Sequence, residues 1–512
     1  MKKVSQIKGG VILSYLTIVV SNVVAMVYTP IMIRLLGQSE YGLYTLVNSF
    51  VSYLGLMDFG FGCTYMRYYS QYKYKESKGK IASLNGMFLT VFSVIGFLAL
   101  IAGLIMSFFS DQIFGSKLTV DELSTARILF IMLTVTLAIN FPSRIFQVHI
   151  TANERFVFLK TINLIQTVIN PLVMIPLLLM GYKSIALVAT SLAYTVIVSV
   201  INIFYCIKKL DFKISFRNFE FRLFKDIAGF AFFVFLGEIV DEVNWNVDKF
   251  ILGRFSGTIA VAIYGIAAQI NLYYRQFSSA ISQVFIPRIN KIVATEEDEN
   301  KSLTDLMIRV GRIQFIVLSL VLTGFIFVGR AFCVLWAGPE YEGSFLIAIV
   351  LLIPSTIPLI QNVGYNALVA KGKHKFRSII YFLISLANVA ISIPLCSVWG
   401  GLGAAIGTAI AVIVGNGFII NWYYKKLGIG VGRFWKSILS LSKGLIMPIA
   451  VGSVFLFIKL PYNWLVLFAQ ILLYSVIFLI SMYTLGFNDE EKGYFSKIGI
   501  KIKKVFIRKQ ND

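Results

Sequence analysis

Apolar residues run through this chain in stretches of about 20 or more, the length a helix needs to cross a bilayer core, divided by short polar segments. Marking these runs predicts about 14 spans. The first six are Val11 to Ile33, Tyr41 to Met66, Leu84 to Phe108, Ala126 to Val148, Thr161 to Met180 and Ser184 to Ile207. The next six are Ile227 to Leu252, Thr258 to Phe285, Ile313 to Cys333, Phe345 to Ala370, Ser378 to Val398 and Leu402 to Tyr424. Gly444 to Ile458 and Trp464 to Leu485 complete the set. The fold class is therefore an all-α, polytopic membrane protein. Pro171, Pro176, Pro354, Pro358 and Pro394 fall inside spans, where a missing backbone donor permits a kink.

The chain also repeats itself. An offset of 218 positions aligns, without a gap, Phe158 with Phe376, Asn170 with Asn388, Ile175-Pro176-Leu177 with Ile393-Pro394-Leu395, Thr190 with Thr408, Tyr205 with Tyr423 and Lys208 with Lys426. A weaker register at 223 lays Tyr41, Gly42 and Asn48 on Tyr264, Gly265 and Asn271. Two pseudo-symmetric six-helix lobes follow, residues 1–210 and 227–426, joined by a cytoplasmic linker at 211–226. Two extra helices occupy 427–486 and a basic tail 487–512. An even number of spans per lobe gives the parallel kind of repeat found in alternating-access transporters.

Composition agrees: 57% of residues are hydrophobic and 14% charged, outside the soluble range. The net charge of +22 raises the question of nucleic acid, but its distribution answers it. With the N-terminus inside, about 36 of the 47 Lys and Arg lie on one side, as the positive-inside rule requires. Both termini are then cytoplasmic. The N-terminal apolar run is too long for a signal-peptide core and reads as a retained span. The tail suits anionic lipid headgroups. Cys63, Cys206, Cys333 and Cys396 read as buried apolar residues, the acidic run Glu296 to Glu299 as a solvated loop, and His149 and His374 as solvated residues at cytoplasmic helix ends.

Candidate chemistry centres on span seven, which carries Glu238, Asp241, Glu242, Asp248 and Lys249. A charge at the bilayer centre costs at least about 2.5 kcal/mol, so these groups face something polar. With Trp245 they share a helical stripe roughly 120° wide. Span one adds Ser14, Thr17, Ser21 and Tyr28, span two Asn48, Ser52 and Asp58, and span eight Asn271, Arg275, Ser278 and Ser282. These four helices are expected to line a cavity between the lobes. Helix rise sets Glu238 and Arg275 roughly 15 Å from the inner ends of their spans, with Asp58 at similar depth, so the three are expected to form a network. Arg275 is then either a bidentate contact for a phosphate-bearing headgroup or a structural partner of Glu238. Glu238, Asp241 and Glu242 either bind a coupling proton or Na⁺ or form a polar seam. Asp248, Lys249 and Arg254 are expected to anchor the outer end of the helix, and Arg34 to line an outward mouth or anchor its own.

LLGQSEYGLYTLVNSFVSYLGLMDFG with the basic RYYSQYKYKES, and NVDKFILGRFSG followed by AIYGIAAQI, resemble the Wzx-type polysaccharide flippases of the multidrug, oligosaccharidyl-lipid and polysaccharide exporter superfamily. The resemblance covers the whole chain. It implies movement of an undecaprenyl-pyrophosphate-linked oligosaccharide from the inner to the outer leaflet, coupled to H⁺ or Na⁺, for capsule or cell-surface polysaccharide biosynthesis, with no cofactor. It also implies contact with other glycan-assembly proteins. Arg275 and Arg34 would attract the pyrophosphate, with Asn271, Asn48 and Trp245 beside them, and Glu238, Asp241, Glu242 and Asp58 would serve coupling. A drug or cation antiporter and a lipid II flippase are neighbouring alternatives. A membrane glycan polymerase fits less well, because no outer loop exceeds about 17 residues between spans. No GxxxxGK[ST] loop is present for direct ATP drive.

Overall fold

The computed structural model describes all residues except 1–5, 59–60, 75–77, 115–116, 217–241, 243–245, 372, 459–460 and 494–512, and leaves undescribed the side chains of 7, 8, 10–12, 15, 63, 67, 74, 78, 374 and 375. Every regular element among the described residues is a helix. In chain order these are α1 Gln6–Leu36, α2 Gln38–Gly55, α3 Phe61–Tyr74, α4 Lys78–Phe108, α5 Ser110–Phe114, α6 Val120–Ala152, α7 Phe156–Leu179 and α8 Lys183–Lys209. Residues 246–255 form α9. Then follow α10 Gly257–Gln283, α11 Ile286–Thr295, α12 Glu299–Trp336, α13 Ser344–Ile360, α14 Asn362–Ala370 and α15 His374–Val412. The last are α16 Ile420–Lys426, α17 Val431–Leu441, α18 Ile446–Phe457 and α19 Trp464–Ser481.

Among the described residues nine helices are long and apolar enough to cross a membrane, and ten if the bent pair α13 and α14 is one span. One of the nine, Phe376–Lys426, has 51 residues. At about 1.5 Å per residue that is more than twice a 30 Å bilayer core, so it must cross twice. Gly400 supplies the turn, with φ 55° and ψ −132°, a conformation that a Cβ would strain. The helix therefore divides between the two spans expected at Ser378 to Val398 and Leu402 to Tyr424. The span expected at Phe345 to Ala370 bends by 45° at Gln361. Pro354 and Pro358 lie in the turns before that bend, where the ring displaces the preceding carbonyl. Helices α2 and α10 are less apolar, carrying Asn48 and Ser52 in the one and Asn271, Arg275, Ser278 and Ser282 in the other.

The chain forms two compact units, Met1–Gly265 with Ser392–Ala404, and Ile266–Ile391 with Ala405–Asp512. In the first, α1 lies along α7 and α6 packs between α4 and α8. Its core is rich in aromatic side chains, among them Phe61, Tyr65, Phe88, Phe92, Phe141 and Phe146. In the second, α12 packs on α13, α17 and α19. Its cores gather around Leu306, Val310, Ile360, Tyr424 and Phe434, and around Tyr474, Phe478 and Met482. Large apolar side chains such as Leu16, Val19, Val23, Phe97, Leu172, Leu465 and Leu472 point outward, as lipid-facing positions must.

Local geometry repeats where the sequence repeats. Phe158 stacks on Tyr205 at 3.8 Å, and Phe376 on Tyr423 at 4.1 Å. Lys208 lies over the Phe204 ring and Lys426 over that of Trp422, in the same register.

His149 departs from the sequence reading. It is not solvated but 2% exposed, with Nδ1 2.7 Å from the Tyr65 hydroxyl, which also bonds Asn85 Oδ1 at 2.7 Å. Phe212 and Tyr69 pack against its ring. The chain after α8 folds back over this end of the helix, with Ser215 N bonded to Ala82 O and Asn85 Nδ2 to Lys213 O, and that cover excludes water.

Candidate functional site

Glu238, Asp241 and Trp245 lie outside the described residues. The rest of the charged stripe of span seven builds a half-buried polar cluster in the first unit. Glu242, Asn246 and Lys249 recur at i, i+4 and i+7, one face of a helix. Glu242 Oε1 accepts from Asn246 Nδ2 at 2.6 Å and from the Ser52 hydroxyl of α2. Lys249 Nζ donates to Asn246 Oδ1 at 2.8 Å, so one amide links the ammonium to the carboxylate. Around it Phe50 of α2 meets Phe250, Phe114 and Phe130 edge-on at 4.8–6.0 Å. That aromatic packing fixes α2 against α9 with Ser52 facing Glu242.

Asp248 is not exposed as an anchor at a water interface would be, contrary to the sequence reading. Asp248 is 2% exposed, and its Oδ2 accepts from the Tyr264 hydroxyl of α10. Lys249 is half-buried. The reason is the tight turn at Ser256 and Gly257, which lays the start of α10 back along α9 and brings Tyr264 beside Asp248. Close approach continues at Gly42 of α2, where a Cβ would sit 2.0 Å from the Thr258 carbonyl oxygen. At that end Glu122 Oε1 accepts from Thr258 Oγ1 at 2.7 Å and from Ser39, while Oε2 closes a capping box with Thr119 at the start of α6.

Asp58, at the end of α2, is ion-paired at 2.9 Å with Arg144 of α6, and its side chain is 6% exposed. Arg144 was missed in the sequence although it lies in an apolar run, the signal that singled out Arg275. Asn48 and Arg34 are exposed. The hydroxyls of Tyr28 and Tyr53 are buried without a hydrogen-bond partner among the described residues.

The second unit holds the polar face of α10. Asn271, Arg275, Ser278 and Ser282 recur at i, i+4, i+7 and i+11. Asn271 is buried with Oδ1 unpartnered among the described residues, and Arg275 is half-buried. Ser278 Oγ donates to Leu359 O at 2.8 Å and accepts from Gln314 Nε2 at 2.8 Å and Asn362 Nδ2 at 3.0 Å. This junction lies at the α13–α14 bend. Among the described residues no group of three His, Cys, Asp or Glu could hold a metal ion.

The buried carboxylates of Asp58 and Asp248, the half-buried Glu242 and Lys249, and an arginine, on helices otherwise made for lipid, suit ion and polar-headgroup binding. Residues 7–293 match the polysaccharide biosynthesis protein family. A putative O-antigen transporter of Shigella flexneri is 25% identical over 403 residues, 77% of this chain and 92% of that protein. The capsular polysaccharide biosynthesis protein CapF of Staphylococcus aureus is 25% identical over 227 residues, 44% of this chain and 56% of CapF. Among solved structures the lipid II flippase MurJ, in an inward closed conformation, has the same fold: TM-score 0.72, 18% identity, and coverage of 92% of this chain and 98% of MurJ. An inward-facing multidrug resistance MATE family transporter gives a TM-score of 0.57 at 13% identity, covering 81% of this chain and 95% of the transporter.

Proposed function

Because the chain belongs to the polysaccharide biosynthesis protein family, we propose that it is a flippase for a lipid-linked oligosaccharide, carrying an undecaprenyl-diphosphate-linked glycan from the inner to the outer leaflet by alternating access of two lobes. The observation that carries this reading is the similarity to a putative O-antigen transporter along nearly all of that protein's length. The chain is a multi-pass membrane protein, and in this reading both termini are cytoplasmic, as the placement of Lys and Arg favours.

Arg275 and Arg34 contact the diphosphate, with Asn271, Asn48 and Trp245 as neighbouring polar and aromatic contacts. Glu238, Asp241, Glu242 and Asp58 take part in ion coupling, to a proton or Na⁺ gradient. The linkage of Glu242 to Lys249 through Asn246 supports the coupling role, since a change on the carboxylate reaches the lysine through one shared amide. Movement between leaflets needs no bond to be made or broken, and no catalytic residue is assigned.

The test is loss of this protein in its native cell. The expected result is accumulation of one lipid-linked oligosaccharide on the cytoplasmic leaflet and loss of the matching surface glycan. Unchanged glycan pools with altered drug resistance would instead identify an antiporter.

A further inference from the structure

We propose that Arg377, at the start of α15, is the centre of a phosphate-binding site separate from the polar face of α10. Its guanidinium carbon lies 3.9 Å from the ring centroid of Tyr365 and 4.0 Å from that of Tyr381. A guanidinium set against aromatic rings keeps an in-plane N–H edge for hydrogen bonds, part of which the Tyr381 side chain takes here. That edge matches two oxygens of a phosphate in bidentate geometry. Among the described residues none of the ion pairs includes Arg377, although Arg312, Arg330, Lys371 and Arg433, nearby in sequence or in the same unit, each have a carboxylate. Tyr381 is itself fixed, its hydroxyl donating to Asn416 Oδ1, so at least one wall of the cage is rigid. Tyr365 is 38% exposed, so the cage opens to the surface.

The internal repeat shows that the fold does not require this arginine. In the 218-position register Arg377 corresponds to Leu159, Tyr381 to Asn163 and Tyr424 to Cys206, while the stacked pair Phe376 and Tyr423 keeps its counterpart Phe158 and Tyr205. The packing of the two helices is thus made without the cage in one copy and with it in the other. A cation set against two aromatic rings, with no acidic partner among the described residues, is placed for an anion from outside the chain. In the surrounding segment, KGKHKFR, Lys371 is paired with Glu299, while Lys373 and Lys375 add positive charge, which favours a phosphate or diphosphate over a neutral headgroup.

Phosphate is the shared chemistry of two sources, a polyprenyl diphosphate carrier and a membrane phospholipid. The site rests on the proposed function only for the first of these. Purified full-length protein in nonionic detergent is titrated with farnesyl diphosphate, inorganic diphosphate and phosphatidylglycerol. Arg377→Leu installs the residue of the other repeat copy, and Arg377→Lys keeps the charge without the planar fork. Arg433→Gln, which removes an exposed arginine paired with Asp305, is the control.

Arg377→Leu is expected to weaken binding about tenfold or more, Arg377→Lys less, and Arg433→Gln hardly at all, with melting temperature and elution profile preserved in each. A loss seen with both diphosphates assigns the site to the carrier, and a loss confined to phosphatidylglycerol assigns it to the membrane. Equal affinity of wild type and Arg377→Leu for all three probes overturns the site. Glycan export in cells is scored separately, so failure of the transport reading leaves the binding result intact.

Discussion

Two charged residues show how differently a membrane-embedded chain can stabilise a buried ion. Arg312 is 5% exposed and fully engaged: Nε and Nη2 meet the two Glu491 oxygens at 2.6 and 2.7 Å, Nη1 reaches Ser437 O and Ser440 Oγ, and Nη2 also reaches Gly486 O. Truncating one partner of such a pair costs about 3 kcal/mol or more, because the other charge stays buried. Arg312→Ala should therefore lower the melting temperature in detergent by several degrees and loosen the segment after α19, read as faster proteolysis beyond Phe487. Asp248 relies in part on a single phenol. Tyr264→Phe removes that donor, worth about 1–3 kcal/mol at a buried carboxylate. A double-mutant cycle with Asp248→Asn should give a coupling energy above about 1 kcal/mol. Additive effects would mean the hydroxyl and carboxylate are neighbours without being partners.

At the scale of elements, glycine decides how closely α2 and α10 approach. Gly42→Val would drive a branched side chain into the Thr258 backbone, which cannot rotate away. Overpacking of this kind costs about 1–3 kcal/mol, and it should also break the Thr258 contact to Glu122. The expected result is a lower melting temperature that Gly42→Ala reproduces in smaller degree; wild-type behaviour of the valine variant would remove the close contact. The long apolar helices found among the described residues were legible in the sequence because bilayer thickness imposes their length. Both copies of the Phe–Tyr stack were legible as an offset. The pairings were not. Arg144 and Asp58 meet because α2 ends beside α6, and Tyr264 meets Asp248 because Gly257 turns the chain back, and neither register is written in hydrophobic periodicity. His149 was misplaced for a related reason: its cover comes from residues 212–215, a segment whose path no local pattern specifies.

For the whole molecule, the proposed flippase activity has to be driven, and Glu242 offers a way to separate structure from drive. Glu242 Oε1 is an acceptor for Ser52 and Asn246, and a glutamine carbonyl can accept the same two bonds. Glu242→Gln therefore keeps the shape and the hydrogen bonds of the cluster while removing a charge that can be neutralised by a proton or balanced by Na⁺. If gradient energy enters here, the variant should reach the membrane at normal level and melt within a few degrees of wild type. Its glycan export should fall to the rate wild type shows when the proton and Na⁺ gradients are both collapsed, and collapsing the gradients should then change it no further. Glu242→Ala serves as the structural comparison, since it also removes the acceptor and should lose both stability and export. A Glu242→Gln protein that exports at the wild-type rate and still slows when a gradient is dissipated would move coupling away from Glu242, to other groups of the first unit such as the Asp58–Arg144 pair.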